Sequence, residues 1–139
     1  MSSFKIFDIA ASGMSAQSVR LNTTASNLAN AESVGGDPNK VYKARHPVFE
    51  AVRAGLAGGK DAGGAAVRVR NIAEDSAPAI ARYEPGNPLA DTNGYVYAPN
   101  VNAVEEMVDM ISASRSYQNN VEVMNTVKEM MLATLRLGQ

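Results

Sequence analysis

The chain has 139 residues, 45% of them hydrophobic but only 6% aromatic, with no tryptophan, so one domain with thin helical packing is expected rather than a thick aromatic core. Its net charge is −1 and no basic block occurs, which argues against nucleic-acid binding by phosphate neutralisation. The absence of cysteine excludes disulfides, thiolate nucleophiles and Cys-based metal sites; no apolar run approaches the about 18 residues of a transmembrane helix, so no direct membrane insertion is expected.

The N-terminal stretch MSSFKIFDIAASGMSAQ has a faint likeness to a signal peptide, with Lys5, a short apolar stretch and then small residues. Asp8 and Ser12 break that stretch, and an amphipathic pattern runs on far past any cleavage point, so it reads as mature protein. A helix is predicted from about Ser3 to Ala31. Phe4, Phe7, Ala11, Met14, Ser18, Leu21, Ala25 and Leu28 alternate steps of three and four along one face. Lys5, Asp8, Ser12, Ser15, Arg20 and Asn22 carry the other. Gly13 weakens this helix by about 1 kcal/mol relative to Ala. Its last part, NTTASNLANAES (Asn22 to Ser33), offers one large apolar side chain, Leu28, among Asn, Thr and Ser, whose side chains compete for backbone groups. That end of the helix needs partners from elsewhere.

Glu32 to Val101 changes character. It holds nine of the eleven glycines and all six prolines, and its eight basic and eight acidic residues cancel. VYKARHPVFEAV, AAVRVRNIA, APAIARYE and GYVYA read as short strands, with alternation clearest at Val67, Val69 and Ile72. EPGNP and DTNG are turn signals, and Gly55 to Ala66 reads as a flexible loop.

A second helix is predicted from about Asn102 to Leu137. Asn102 is placed as its N-cap with Glu105 three residues on, Glu105, Glu106 and Asp109 suit the positive helix start, Arg136 suits the negative end, and Gly138 is a plausible stop. Its stripe runs Met107, Met110, Ser114, Tyr117, Val121, Met124, Lys128, Met131 and Leu135, widened by Val104, Val108 and Ile111. Lys128 interrupts it with a stem that can lie along the stripe.

The fold expected is therefore mainly α with a small β-rich insert. Residues 1–31 and 102–139 form a discontinuous core of long helices paired in a coiled-coil-like way, and 32–101 form the insert. Stripes so narrow, and so rich in Ala, Ser and Met, bury too little to stand alone. The missing surface is expected from neighbouring subunits.

Catalytic and cofactor patterns are weak. GLAGGK fails the phosphate-loop pattern twice, at Ala54 and Asp61. His46 is the only histidine, which leaves neither a His-based zinc site nor a Ser-His-Asp arrangement. The acidic run VEEMVD is explained by the helix dipole, and the sequon at Asn22 falls inside a predicted helix. The methionines of the last helix fit a bundle core or a binding groove, two readings that merge if the bundle is intermolecular. No enzyme activity, cofactor or metal is expected. The rival reading is a cytoplasmic helical adaptor or secretion chaperone that binds partner helices.

SVRLNTTASNLANAES…VYKARHPVFE at residues 18–50 resembles the N-terminal signature of flagellar axial proteins, and NVNAVEEMVDMISASRSYQNNVEVMNTVKEMMLATLRLGQ resembles their C-terminal end. YEPGNPLADTNGYVYAPNVN, the short length and the small insert narrow the likeness to the proximal rod proteins. The link AESVGGDPNKVYKA is longer than the compact one common in the wider family. The resemblance implies a structural subunit, exported through the flagellar type III apparatus without a cleaved signal. It implies polymerisation with copies of itself and other rod proteins into a drive shaft across the periplasm. It also implies that the terminal helices line an inner tube, and they are expected to order only on assembly. Asn27, Leu28, Asn30 and Ala31 match the N-terminal motif, and Ser116, Tyr117, Asn120, Val121 and Glu122 the C-terminal one. The subunit-interface candidates are Phe4, Phe7, Met14, Leu21, Asn27, Leu28, Asn30, Met107, Met110, Tyr117, Asn120, Val121, Met124, Met131 and Leu135. Asn27 is expected to hydrogen-bond between subunits, so that Asn27→Leu leaves the monomer intact and impairs assembly.

Overall fold

The computed structural model describes residues 3–53 and 64–137. Two helices, α1 (Ser3–Asn30) and α2 (Ala103–Leu137), each fall one residue short of the expected limits. Between them lie β1 (Arg45–Arg53), β2 (Ala65–Glu74), β3 (Ile80–Tyr83) and β4 (Tyr95–Ala98). They form two separate antiparallel pairs, β1 with β2 and β3 with β4. The Gly-rich stretch falls outside the described residues except for Gly64 to Ala66, of which Ala65 and Ala66 already belong to β2.

The helix ends follow their local chemistry. Asn102 Oδ1 accepts the Val104 and Glu105 amides at 3.1 and 3.5 Å, so Asn102 does cap α2. Glu105 and Glu106 sit in the first turn of α2 and Arg136 in its last. α1 has no such charges at either end, and its C-terminus closes through Ala31 N–H on Leu28 O and Ser33 N–H on Asn30 O.

The β1–β2 register shifts between Val48 and Phe49, which leaves Arg70 as an extra residue on β2. That bulge explains the odd spacing of the apolar residues. Val67, Val69 and Ile72 pair with Ala51, Phe49 and Pro47, so all three share a face although a strict two-residue period would separate Ile72. The β3–β4 turn is organised by Asp91, whose Oδ1 accepts the Asn93 and Tyr95 amides at 2.8 and 2.9 Å. Gly94 closes that turn at φ 82°, a left-handed conformation. Chiefly because of the Tyr95 amide, the Asp91 carboxyl is held below its usual value.

The segment between α1 and β1 ties these pieces together. Gly35 and Tyr97 exchange backbone bonds of 2.9 and 2.8 Å, adding one residue to the edge of β4. Asn100 accepts the Ala44 amide and donates to Ala77 O, at 2.8 and 3.2 Å. Val96, Ala98 and Pro99 are buried here, so the densest part of the subunit lies near the end of α1 and the start of α2.

The two helices pack antiparallel. Asn27 meets Glu106, and Gly13 meets Asn120, a displacement of fourteen residues on each helix. Buried beside these contacts are Ala10 and Thr24 on α1, three residues before Gly13 and Asn27, and Ala113 and Val127 on α2, seven residues after Glu106 and Asn120. This corrects the predicted inward faces. Ala11, Ser18 and Ala25 of the α1 stripe are exposed, and Phe7, Met14, Leu21 and Leu28 lie half-buried on a flank. On α2, Met107 and Leu135 are exposed, and Val127 rather than Lys128 is buried. The predicted polar face of α1 is not all solvated either. Arg20 pairs with Asp109 at 2.8 Å across the helices, and Ser12 Oγ accepts the Val67 amide at 3.1 Å. Small side chains explain the shift: two helix backbones approach closely only where Ala, Gly or Thr lies between them, and the bulkier residues are left at the sides.

Candidate subunit interface

The polar end of α1 is held from within the chain. Asn27 is fully buried. Its Nδ2 donates to Arg45 O at 2.8 Å and to Glu106 Oε1 at 2.9 Å. Its Oδ1 accepts the Tyr42 hydroxyl at 2.8 Å and the Arg45 amide at 3.0 Å. One side-chain amide thus uses all four of its hydrogen-bonding positions to join α1, the segment before β1, and α2. Burial raises the Tyr42 phenol above its usual value, with the Arg45 charge opposing this and those of Glu106 and Glu74 adding to it. Asn27 is therefore not available to a neighbouring subunit, which corrects the expectation placed on it. Asn30 bonds locally, donating to Ser26 O at 2.8 Å.

Glu106 is the partner that helix-dipole reasoning missed. It is 5% exposed; Oε1 takes the Asn27 bond, and Oε2 is buried without a partner. The signal was available in the heptad steps linking Gly13, Arg20 and Asn27 on one helix and Glu106, Ala113 and Asn120 on the other. These residues are small or polar, and no hydrophobic stripe includes them.

The other interface candidates divide by position. Met110, Tyr117, Asn120, Val121, Met124 and Met131 are half-buried along α2, and the side chain of Phe4 lies outside the described residues. Met107 and Leu135 are 54% and 68% exposed, in company with Val104, Val108, Ile111 and Leu132. They fall in two groups, Val104, Met107, Val108 and Ile111 at the start of α2 and Leu132 and Leu135 near its end, separated by twenty-one residues of helix or about 31 Å. Nothing among the described residues arranges three metal-ligating side chains together. His46 is exposed, and Asn22 to Thr24 lie inside α1.

The terminal segments match known families. Residues 7–35 match the model of the flagella basal body rod protein, and residues 92–137 that of the flagellar basal body rod FlgEFG protein C-terminal. Over the whole length of both chains, the sequence is 56% identical to the flagellar basal-body rod protein FlgC of Salmonella typhimurium and 55% identical to that of Yersinia enterocolitica. It is 45% identical to the FlgC protein of Aquifex aeolicus across 96% of each chain. These relatives are named as basal-body rod proteins, which favours a structural rod subunit, not an enzyme, over the adaptor reading. The residues that these matches cover include both helices and the turn at Asp91, and the chain belongs to the FlgC family of flagellar basal-body rod proteins.

Proposed function

We propose that this chain polymerises with other rod proteins and with copies of itself into the proximal part of the rod, a drive shaft that carries torque across the periplasm. Its passage there is by the flagellar type III apparatus. The observation that supports assembly through the terminal helices is the apolar surface left uncovered by the helix pair. Val104, Met107, Val108 and Ile111 on one side of α2 each stand at least 53% exposed. Burying such a side chain against a neighbour is worth about 1.5–3 kcal/mol. In this reading the α1–α2 pair behaves as a coiled-coil-like unit whose outer faces are completed by adjacent subunits.

Burial is uneven along the pair, and this sharpens the reading. The end held by Asn27, Ala31 and Glu106 is well packed, whereas the far end has mainly Ala10 and Val127. The free chain is expected to keep the first end and fray at the second, ordering fully on assembly. Amide hydrogen exchange on the soluble chain tests this. Protection at 24–30 and 106–113 with rapid exchange at 3–10 and 124–137 is expected. Strong protection along the whole of both helices would remove the need for neighbours and favour a self-sufficient adaptor. Recovery of the chain in purified basal bodies, by immunoblot, tests its place in the rod.

A further inference from the structure

We infer that the acidic cleft between the start of β1 and the first turns of α2 receives the C-terminal end of α2 from a second copy of this chain, with Arg136 as the inserted cation. The inference rests on the rod-subunit reading. The cleft is lined by His46, Val104, Glu105, Glu106, Val108 and Asp109, and holds about 390 Å³. Asp109 is engaged by Arg20, while Glu105 makes no ion pair among the described residues. Glu106 supplies the decisive feature, a buried carboxylate oxygen with no hydrogen-bond partner. A buried acceptor without a donor is costly, and a charged donor corrects it best. The rim of the cleft is apolar, with Val104 and Val108 69% and 60% exposed.

The opposite end of the same helix is complementary. Arg136 is exposed in the last turn, beside Leu132 and Leu135, which are 46% and 68% exposed. With Glu106 opposite Asn27 and Asn120 opposite Gly13, the register brings α2 past the start of α1 at about Met130. The final turns therefore have no α1 residue across from them. Guanidinium between leucines matches carboxylates between valines. Arg136 cannot reach its own cleft, because thirty residues of helix at 1.5 Å each place it about 45 Å from Glu106. The contact must join two chains. Site and ligand are different surfaces at opposite ends of one helix, so a contact made in one direction leaves a free cleft on one chain and a free Arg136 on the other, and it can propagate head-to-tail.

The chain has no cysteine, so crosslinking is clean. Val108→Cys and Leu135→Cys both fall at exposed positions. Each is made in the full chain, and the two are produced together, distinguishably tagged, in cells lacking the native copy. Basal bodies are then isolated and mildly oxidised. The expected result is a disulfide between the two different variants and none between like variants, with loss of the band when Arg136→Glu is added to the Leu135→Cys chain. Return of the band is expected when Glu105→Arg is also placed in the Val108→Cys chain. The contact is overturned if like variants crosslink as readily, or if the disulfide is absent while both chains are present in basal bodies. Rod copies bearing Val108→Cys that still assemble but are shielded by a different rod protein would show that absence. If the unsubstituted chain is itself missing from basal bodies, the rod reading fails and takes the contact with it.

Discussion

Replacing Asn27 by leucine tests the central claim about the polar end of α1. Leucine nearly matches the volume but has no polar atoms. The amide and carbonyl of Arg45 and the Oε1 of Glu106 would each lose a partner. The Tyr42 hydroxyl would lose one as well, but that side chain is only half-buried and can turn to water. Three stranded groups at about 2 kcal/mol each, less about 2 kcal/mol returned by burying the leucine, give a net loss of about 4 kcal/mol. That is a large share of the 5–15 kcal/mol or so that holds a domain together. Equilibrium unfolding of the full chain in urea, followed by far-UV circular dichroism, reads it as a lower midpoint with an unchanged slope. Asn27→Asp is the informative companion. It keeps acceptors for Tyr42 and Arg45, yet sets a second carboxylate against Glu106, and is expected to be no milder. An unchanged or raised midpoint for Asn27→Leu would overturn this assignment. It would mean that the amide is not engaged in the free chain, and that its partners come from neighbouring subunits after all.

A Cβ on Gly13 would lie 3.0 Å from both amide atoms of Asn120, whose Nδ2 also donates to Ser116 O at 2.9 Å. Gly13→Ala alone is therefore expected to be near neutral in thermal melts, its helix-propensity gain offset by this crowding. In an Asn120→Ala background the same change should stabilise by about 1 kcal/mol. Gly94→Ala forces a side chain into a positive φ against Tyr83 and Pro85; a loss of about 1–2 kcal/mol is expected, with faster exchange of the Glu84 amide that bonds Gly94 O. The Asp91 carboxyl is held below 3.8 in the folded chain, first by the Tyr95 amide. Its support of the β3–β4 turn should be complete above that value and fade as pH falls through the lower folded value, a dependence that Asp91→Asn removes when Tyr95 exchange is followed against pH. Tyr42 has the opposite sign. Burial raises its phenol above 10.0, so its contribution is full below that pH and lost as pH rises through the folded value. Burial and the Asp91 carboxylate raise the Tyr97 phenol as well, so ultraviolet titration should show two late-ionising tyrosines, one of which is lost in Tyr42→Phe.

The sequence made the two helices, the Asn102 cap, the four strands and the Asp91 turn legible, because each depends on residues close in the chain. The inward faces were not legible, for a physical reason. A hydrophobic stripe reports which side of a helix is apolar, and a monomer need not be what covers that side. Here Ala10, Gly13 and Thr24 let the helices approach, and the contact includes Asn27, Glu106 and Asn120, none of which adds to an apolar period. Glu106 shows the difficulty best. At the start of a helix an acidic residue already has an adequate explanation in the dipole, so nothing local signals that it is buried against an asparagine 79 residues earlier. The mismatch between stripe and seam is itself informative. If Met107, Val108 and Ile111 served only the fold of the single chain, they would lie between the helices; the chain instead packs its small and polar residues inward and leaves these apolar ones at the surface. Large apolar side chains kept in water at about 1.5–3 kcal/mol each weaken a free subunit. That arrangement is expected of a chain whose stability is completed in an assembly, where the same side chains become the contacts.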